Sequence, residues 1–130
     1  MPELPEVETV RTGLASSWTG KRVDGLELRR EGLRFPFPDD LENRLVGTRI
    51  LKVRRRAKYL LIDLDSGDVL LSHLGMSGRW TLDSSDSEGK HDHVVVHLDD
   101  GTMSVYNDPR RFGMLDIYDG ESHKLLDHLG

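Results

Sequence analysis

The residues best placed to do chemistry open the chain, MPELPEVETVRTGL. A residue as small as Pro2 permits removal of the initiator Met, which would leave a free secondary amine beside Glu3. An α-amino group has a pKa of roughly 7.7 to 8, so on the order of a tenth is unprotonated near neutral pH, far more than for an ordinary Lys. A secondary amine that attacks a sugar carbon gives, after ring opening, an iminium that has no N–H proton to lose. It stays a cation and acts as an electron sink for elimination at the neighbouring carbon. Glu3 is placed to move protons at the ring oxygen or the leaving group, and Glu6 to orient or polarise the same site. A simpler account also fits: Pro5 starts a helix, and the acids complement its dipole.

The elements that would position these groups follow from hydrophobic spacing. Leu4, Val7, Val10 and Leu14 recur at helical intervals and predict an N-terminal helix ending between Ala15 and Thr19, with Gly13 weakening the pattern. From Arg22 onward the pattern changes to alternation or short apolar runs. Strand candidates are Val23–Leu28, Ile50–Val53, Tyr59–Leu64, Val69–Leu74, Arg79–Leu82, Val94–Leu98, Met103–Tyr106 and Met114–Tyr118, separated by turn chemistry such as DSGD and DDGT. Between them FPDDLENRLVG predicts a short helix, starting near Pro38 or Asp39 and ending before Gly47, and a last helical turn is expected over Glu121 to His128. Such spacing suggests a sandwich or a barrel. The expectation is a mainly β (α+β) domain over residues 1–130, a β-sandwich of about eight strands with an N-terminal helix and one or two short helices.

With 130 residues, 36% of them apolar, the chain suits a single core. The absence of cysteine removes disulfides and thiolate zinc sites. The acidic start is unlike a signal peptide and no apolar run is long enough to span a bilayer, so a soluble intracellular protein is expected. The net charge of −5 argues against a generic nucleic-acid binder. Distribution matters more than the total, however: Arg49 to Lys58 holds six cations and no acid, while acids collect around Asp83 to Glu88, at Asp99 and Asp100, and from Asp116 to Glu121. The basic run reads equally as a solvated strand face. DSSDSEGK is the only stretch that reads as a flexible loop, and no repeat is present.

The opening string resembles the N-terminal signature of the formamidopyrimidine-DNA glycosylase and endonuclease VIII family, and further blocks agree in order. RRRAKYLL (54–61) is similar to the family's lysine-bearing segment, HLGMSG (73–78) to its void-filling loop and NDPRRFG (107–113) to its second intercalation loop; KHDH (90–93) also matches. The resemblance covers the whole chain. It implies a base-excision repair glycosylase and AP lyase in which Pro2 forms a Schiff base with C1′ of the damaged nucleotide. Glu3 would be its acid/base partner, Glu6 would support the pocket, and Lys58 would lie near the extruded nucleotide and its phosphates. His73, His91 and Arg110 would contact DNA. Extruding a base costs roughly a few kcal/mol and leaves a hole, which the matches Met76, Arg110 and Phe112 would fill. Met76 is a flexible filler, Phe112 a wedge, and Arg110 a donor to an orphaned cytosine. Without the family, Met76 and Phe112 read as packed core residues and Arg110 as a surface ion pair.

Met76 with Phe112 after Arg110-Arg111 resembles the branch acting on oxidised purines, which implies 8-oxoguanine opposite cytosine and formamidopyrimidines as substrates, with β- and δ-elimination to follow. The partner implied is damaged double-stranded DNA, bound by a monomeric, cytoplasmic, nucleoid-associated bacterial enzyme. Family members continue into a helical lobe with a helix-two-turn-helix and a Cys-ligated zinc finger. One zinc ion is therefore expected in that lobe and no cofactor in this chain, and duplex cleavage by this lobe alone is expected to be weak or undetectable. Retained Met1 would cap the Pro2 nitrogen as an amide. Two rival readings remain: a non-catalytic nucleic-acid-binding module using Arg49 to Lys58 and Arg110-Arg111, and a metal-dependent hydrolase using His73, His91, Asp92 and His93. Against the second, Asp92 would face away from His91 and His93, which as polar strand-edge residues need no metal.

Overall fold

The computed structural model describes residues 4–84 and 91–119. Among these residues eight strands form two four-stranded antiparallel sheets, the sandwich expected from the sequence. One sheet has the order β1 (Val23–Leu28), β6 (Asp92–Leu98), β7 (Met103–Asn107), β5 (Arg79–Ser84); the other has β2 (Ile50–Arg56), β3 (Tyr59–Leu64), β4 (Val69–His73), β8 (Met114–Tyr118). β1, β3 and β8 match their expected bounds. β2 runs three residues further, carrying Arg54 to Arg56 into the ladder opposite Leu61 to Tyr59.

Helix α1 spans Leu4–Trp18 and buries Val7, Leu14 and Trp18, with Val10 partly covered. Leu4 is 45% exposed, so the buried stripe starts one turn later than the spacing predicts. Gly13 faces β5: a Cβ there would stand 3.2 Å from Leu82 Cδ1, a tight contact that a shift of a few tenths of an ångström in the Leu82 side chain would relieve. Trp18 ends the stripe, packed edge-on to Trp80 with 5.2 Å between ring centres and donating to the buried Ser104 hydroxyl at 2.8 Å. Helix α2 covers only Leu41–Leu45, shorter than the FPDDLENRLVG reading, because Leu41 is already tied to Pro38 by a turn bond and Gly47 follows at φ +91°. The expected turn over Glu121 to His128 lies outside the described residues.

Leu14, Trp18, Leu60, Ile62, Leu70, Val94, Val96 and Tyr106 join one core between sheets and helices. A satellite of Leu61, Val69, Leu71 and Met114 packs on the other face of β3, β4 and β8, so both faces of these strands are covered. Among the described residues no helix is long and apolar enough to cross a membrane.

Strand direction decides where the loops gather. Arg56 pairs with Tyr59, Tyr59 with His73 and His73 with Met114, while Leu28 pairs with Val94 and both Asp92 and Arg79 with Asn107. At this end the backbone bond Arg29 N–H to His93 O extends the β1–β6 pairing, and Arg34 N–H to Gly113 O ties the segment after β1 to the residue before β8 of the other sheet. Helix α1 runs antiparallel to β2, with Glu8 beside Arg55, Arg11 beside Val53 and Gly20 beside Ile50. Its N-terminal end therefore faces the same end of the sandwich.

Candidate functional site

Lys58 sits in the two-residue turn between β2 and β3, where Ala57 takes φ 52°, a left-handed conformation uncommon for residues other than Gly. The next residue, Tyr59, lays its ring 4.8 Å from that of His73 at the end of β4. Burial first, then the positive charges of Lys58 and Arg34, hold the His73 pKa below its ordinary value, so the neutral ring is favoured. His73 Nδ1 accepts the Gly75 N–H at 3.0 Å. Its proton is thereby assigned to Nε2, which can donate to an anion.

Beyond His73 the chain turns at Gly75, φ +65°, where a Cβ would strike the backbone of Phe112 and Gly113. Glycine is required because the loops 74–78 and 108–113 touch backbone to backbone. They present Met76, 45% exposed, and Phe112, 44% exposed, to a cavity of about 410 Å³ that also involves Arg34, His73 and Gly75. The exposure of Met76 and Phe112 removes the reading of either as core. Arg110 forms no ion pair among the described residues; its guanidinium lies 5.3 Å from the Phe112 ring centre. Lys58, His73, Met76, Arg110 and Phe112 thus come together at the sandwich end that α1 faces. Glu6 is exposed in the first turn of α1. Pro2 and Glu3 lie outside the described residues, as does Lys90 of the KHDH match.

One buried acid, which sequence reasoning did not single out, holds the two loops. Asp108 is 0% exposed. Its Oδ1 accepts from the Ser77 hydroxyl at 2.8 Å and Arg111 N–H at 3.0 Å, and its Oδ2 from Tyr106 O–H at 3.1 Å and Gly113 N–H at 2.9 Å. Four donors satisfy the buried carboxylate without a cation. Burial, and secondarily the Asp108 charge, pushes the Tyr106 pKa far up, so the phenol stays a donor.

His93 corrects the strand-edge reading: it is 1% exposed, and both ring nitrogens serve the fold. Its Nε2–H donates to Asp108 O at 2.8 Å, and its Nδ1 accepts from Arg30 Nε at 3.1 Å. His91 is half-buried with its ring centre 6.4 Å from that of His93, and Asp92 is bonded by Asn107 at 2.8 Å. Among the described residues no three His, Cys, Asp or Glu side chains gather as metal ligands. The zinc implied by the resemblance needs thiolates, and this chain has no cysteine to hold it.

Much of the basic run is paired within the protein while remaining on a solvated face, with Arg49 and Arg55 exposed and Arg54 half-buried. Arg54 is bidentate to Asp63 at 2.7 Å, Arg55 donates to Glu8 at 2.9 Å, and Arg49 donates to Gly20 O. Hydrogen bonds from Arg11 and then Arg55 hold the Glu8 pKa down at about 2. The acids that neutralise the run stand 9 and 47 positions away in sequence.

The model of the formamidopyrimidine-DNA glycosylase N-terminal domain matches residues 1–115. The chain is 52% identical over 143 residues to the formamidopyrimidine-DNA glycosylase of Ruegeria sp. (strain TM1040), covering all of this chain and 50% of that protein. It is 50% identical over 149 residues to that of Rhizobium etli, again covering all of this chain and 50% of the relative. It spans about half the length of these curated relatives. Among solved structures, Lactococcus lactis Fpg (MutM) with DNA containing N7-benzyl-Fapy-dG superposes with a TM-score of 0.85 at 31% identity, over 98% of this chain and 46% of that one. MutM in complex with carbocyclic 8-oxo-G containing DNA gives 0.82 at 33% identity, over 90% and 44%. Ordered motifs, sandwich and loop end agree with these matches: the chain belongs to the formamidopyrimidine-DNA glycosylase family, of which it carries the N-terminal domain.

Proposed function

We propose that the protein is a base-excision repair glycosylase and AP lyase acting on oxidised purines, 8-oxoguanine and formamidopyrimidines, in duplex DNA. The observation that carries this reading is the convergence of His73 and exposed Met76 and Phe112 around one cavity, with Arg110 over the Phe112 ring and the Lys58 charge acting on His73, at the end faced by α1. Two apolar side chains held out by glycine-tight loops suit insertion between bases, and a cation beside a neutral His suits a phosphate. The solved relatives named above hold DNA with a modified purine, which supports the substrate class.

In this mechanism the Pro2 nitrogen bonds to C1′ as the glycosidic bond breaks, and the electron pair leaves with the base, which takes up a proton. Glu3 handles the protons at the ring oxygen, and Glu6 supports the same pocket. Ring opening gives an iminium; loss of a C2′ proton then expels the 3′ phosphate, and a second elimination expels the 5′ phosphate. Lys58 and the His73 Nε2–H bind phosphate oxygens of the extruded nucleotide, and His91 contacts the backbone. Met76, Phe112 and Arg110 occupy the vacated stack, with Arg110 donating to the orphaned cytosine. The protein acts as a monomer on chromosomal DNA in the cytoplasm, and full excision uses a second, zinc-bearing lobe.

Borohydride trapping on DNA carrying an abasic site tests the reading, on protein whose intact mass shows loss of Met1. A covalent band is expected, abolished by Pro2→Gly; base excision is expected to fail in Glu3→Gln. A processed N-terminus that gives no band overturns the catalytic role and leaves a nucleic-acid-binding module.

A further inference from the structure

The segment between β1 and α2, which carries the string RREGLRF, was given no role by its sequence. With the loop before β8 it lines a second, open cavity, of about 500 Å³. Arg29, Arg30, Arg34 and Arg111 line it, opposed by one acid, Glu31. Arg34 also lines the cavity over His73, so the two adjoin. Arg30, Arg34 and Arg111 form no ion pair among the described residues, in contrast to Arg54 and Arg55.

Two of these arginines are anchored through their backbone. Arg34 N–H donates to Gly113 O at 3.1 Å, and Arg111 N–H donates to Asp108 Oδ1, with Arg111 held at φ 56°. Arg30 is anchored by its side chain: an Nε–H can only donate and a carbonyl can only accept, so the bonds of His93 to Arg30 and Asp108 O fix its tautomer. That tautomer fastens one edge of the Arg30 guanidinium and leaves its terminal amino groups for a ligand. Guanidinium forks gathered in this way match an anion with several equivalent oxygens.

We propose that this arginine-lined cavity binds a backbone phosphate of DNA, at a site separate from the Lys58–His73 contact. The proposal rests on the DNA-binding part of the function above. Position favours a DNA phosphate over a free anion, because the cavity adjoins the one presenting Met76 and Phe112. A phosphate held here is bonded, through Arg111 and through Arg30, His93 and Asp108, to the loop carrying Arg110 and Phe112.

The test is duplex binding by fluorescence anisotropy across a KCl series, comparing wild type with the double variant Arg34→Gln/Arg111→Gln. Neither side chain donates a hydrogen bond within the described residues, so the urea midpoint should be retained; if it falls, Arg111→Gly, which keeps the positive φ, reads the same quantity. Affinity at low salt is expected to fall about tenfold or more, and the slope of log K against log salt to flatten by about one. Arg22→Gln, at the opposite end and paired with Asp24, should leave both unchanged. A folded double variant with the wild-type slope and affinity overturns the site, even if trapping through Pro2 succeeds. A flattened slope without trapping supports the site and overturns the chemistry. Wild-type protein that binds no duplex overturns both.

Discussion

The two ends of the sandwich differ in how much of their positive charge is paired. At the end formed by the turns before β1 and β2 and those joining β3 to β4 and β6 to β7, cations meet acids: Lys21 with Asp100 at 2.8 Å, Arg22 with Asp24 at 3.0 Å, Arg44 with Asp68 at 2.8 Å. At the loop end Arg34 faces the Phe35 ring, Arg110 the Phe112 ring, and Arg30 a histidine nitrogen. The buried acid there, Asp108, is spent on neutral N–H and O–H donors and neutralises no arginine. A net charge of −5 is therefore compatible with a cationic working face: Arg29 and Arg55 pair there with Glu27 and Glu8, but Arg30, Arg34, Arg110 and Arg111 form no ion pair among the described residues.

Stability divides the same way, into a buried network at the loop end and exposed pairs opposite. The hardest blow to the contrast is Asp108→Ala. It leaves Tyr106 O–H, Ser77 O–H and the Arg111 and Gly113 N–H groups without their acceptor, two of these donors lying in the interior. A loss of about 3–5 kcal/mol in urea unfolding is expected, from unsatisfied buried donors. A loss under about 1 kcal/mol would show that the network is not what holds the loops.

Gly113→Ala comes next. Its Cβ would overlap the Tyr106 hydroxyl and stand 2.8 Å from both Asp108 Oδ2 and His73 O, so about 2–4 kcal/mol is expected from overpacking. Gly101→Ala, at the far end, meets nothing within 4 Å and carries only the strain of φ +88°, about 1 kcal/mol. Equal costs, measured by the same denaturation, would erase the distinction between a packed end and an open one.

The sandwich was legible because each strand carries its own signal: period-two alternation or an apolar run, closed by Asp-Gly or Ser-Gly turns, survives any tertiary arrangement. The loop end was legible only through family resemblance, since Met76, Arg110 and Phe112 carry no local pattern. Their support was not legible at all. Ser77 and Asp108 are 31 positions apart, and nothing near Asp108 in sequence marks a carboxylate that will be fully buried. His93 likewise sits between Asp92 and a run of valines, where alternation cannot say that its ring will be sealed between Arg30 and Asp108. RREGLRF lacked periodicity and turned out to line a cavity.

The His73 titration probes the loop end more gently. Its folded pKa lies below the ordinary 6.5 through burial, then Lys58 and Arg34, so the unfolded chain binds more protons just below that value. The contribution is intact above pH 6.5 and is lost as pH falls from there through the depressed folded pKa. Urea stability measured from pH 8 to pH 5 should decline less steeply in His73→Gln than in wild type. NMR titration should show the His73 pKa moving up in Lys58→Met. An unmoved His73 would mean that Lys58 does not act on the ring.

The smallest effect is expected from the best-formed pair at the opposite end. Arg44 grips Asp68 with two bonds, Nε at 3.0 Å and Nη2 at 2.8 Å, and its side chain is 29% exposed against 19% for Asp68. The mutual hydrogen bonds hold the Asp68 pKa down and raise that of Arg44. Water reaches both groups, however, and screening and side-chain ordering offset most of the Coulomb gain. A double-mutant cycle of Arg44→Ala and Asp68→Ala should therefore give a coupling of about 0.5–1 kcal/mol that shrinks in high salt. Because the Asp68 pKa is depressed, the coupling should persist above the ordinary carboxylate range and vanish as pH falls through the depressed value. A coupling of several kcal/mol, insensitive to salt, would place this end in the same class as Asp108 and remove the asymmetry on which the cationic face depends.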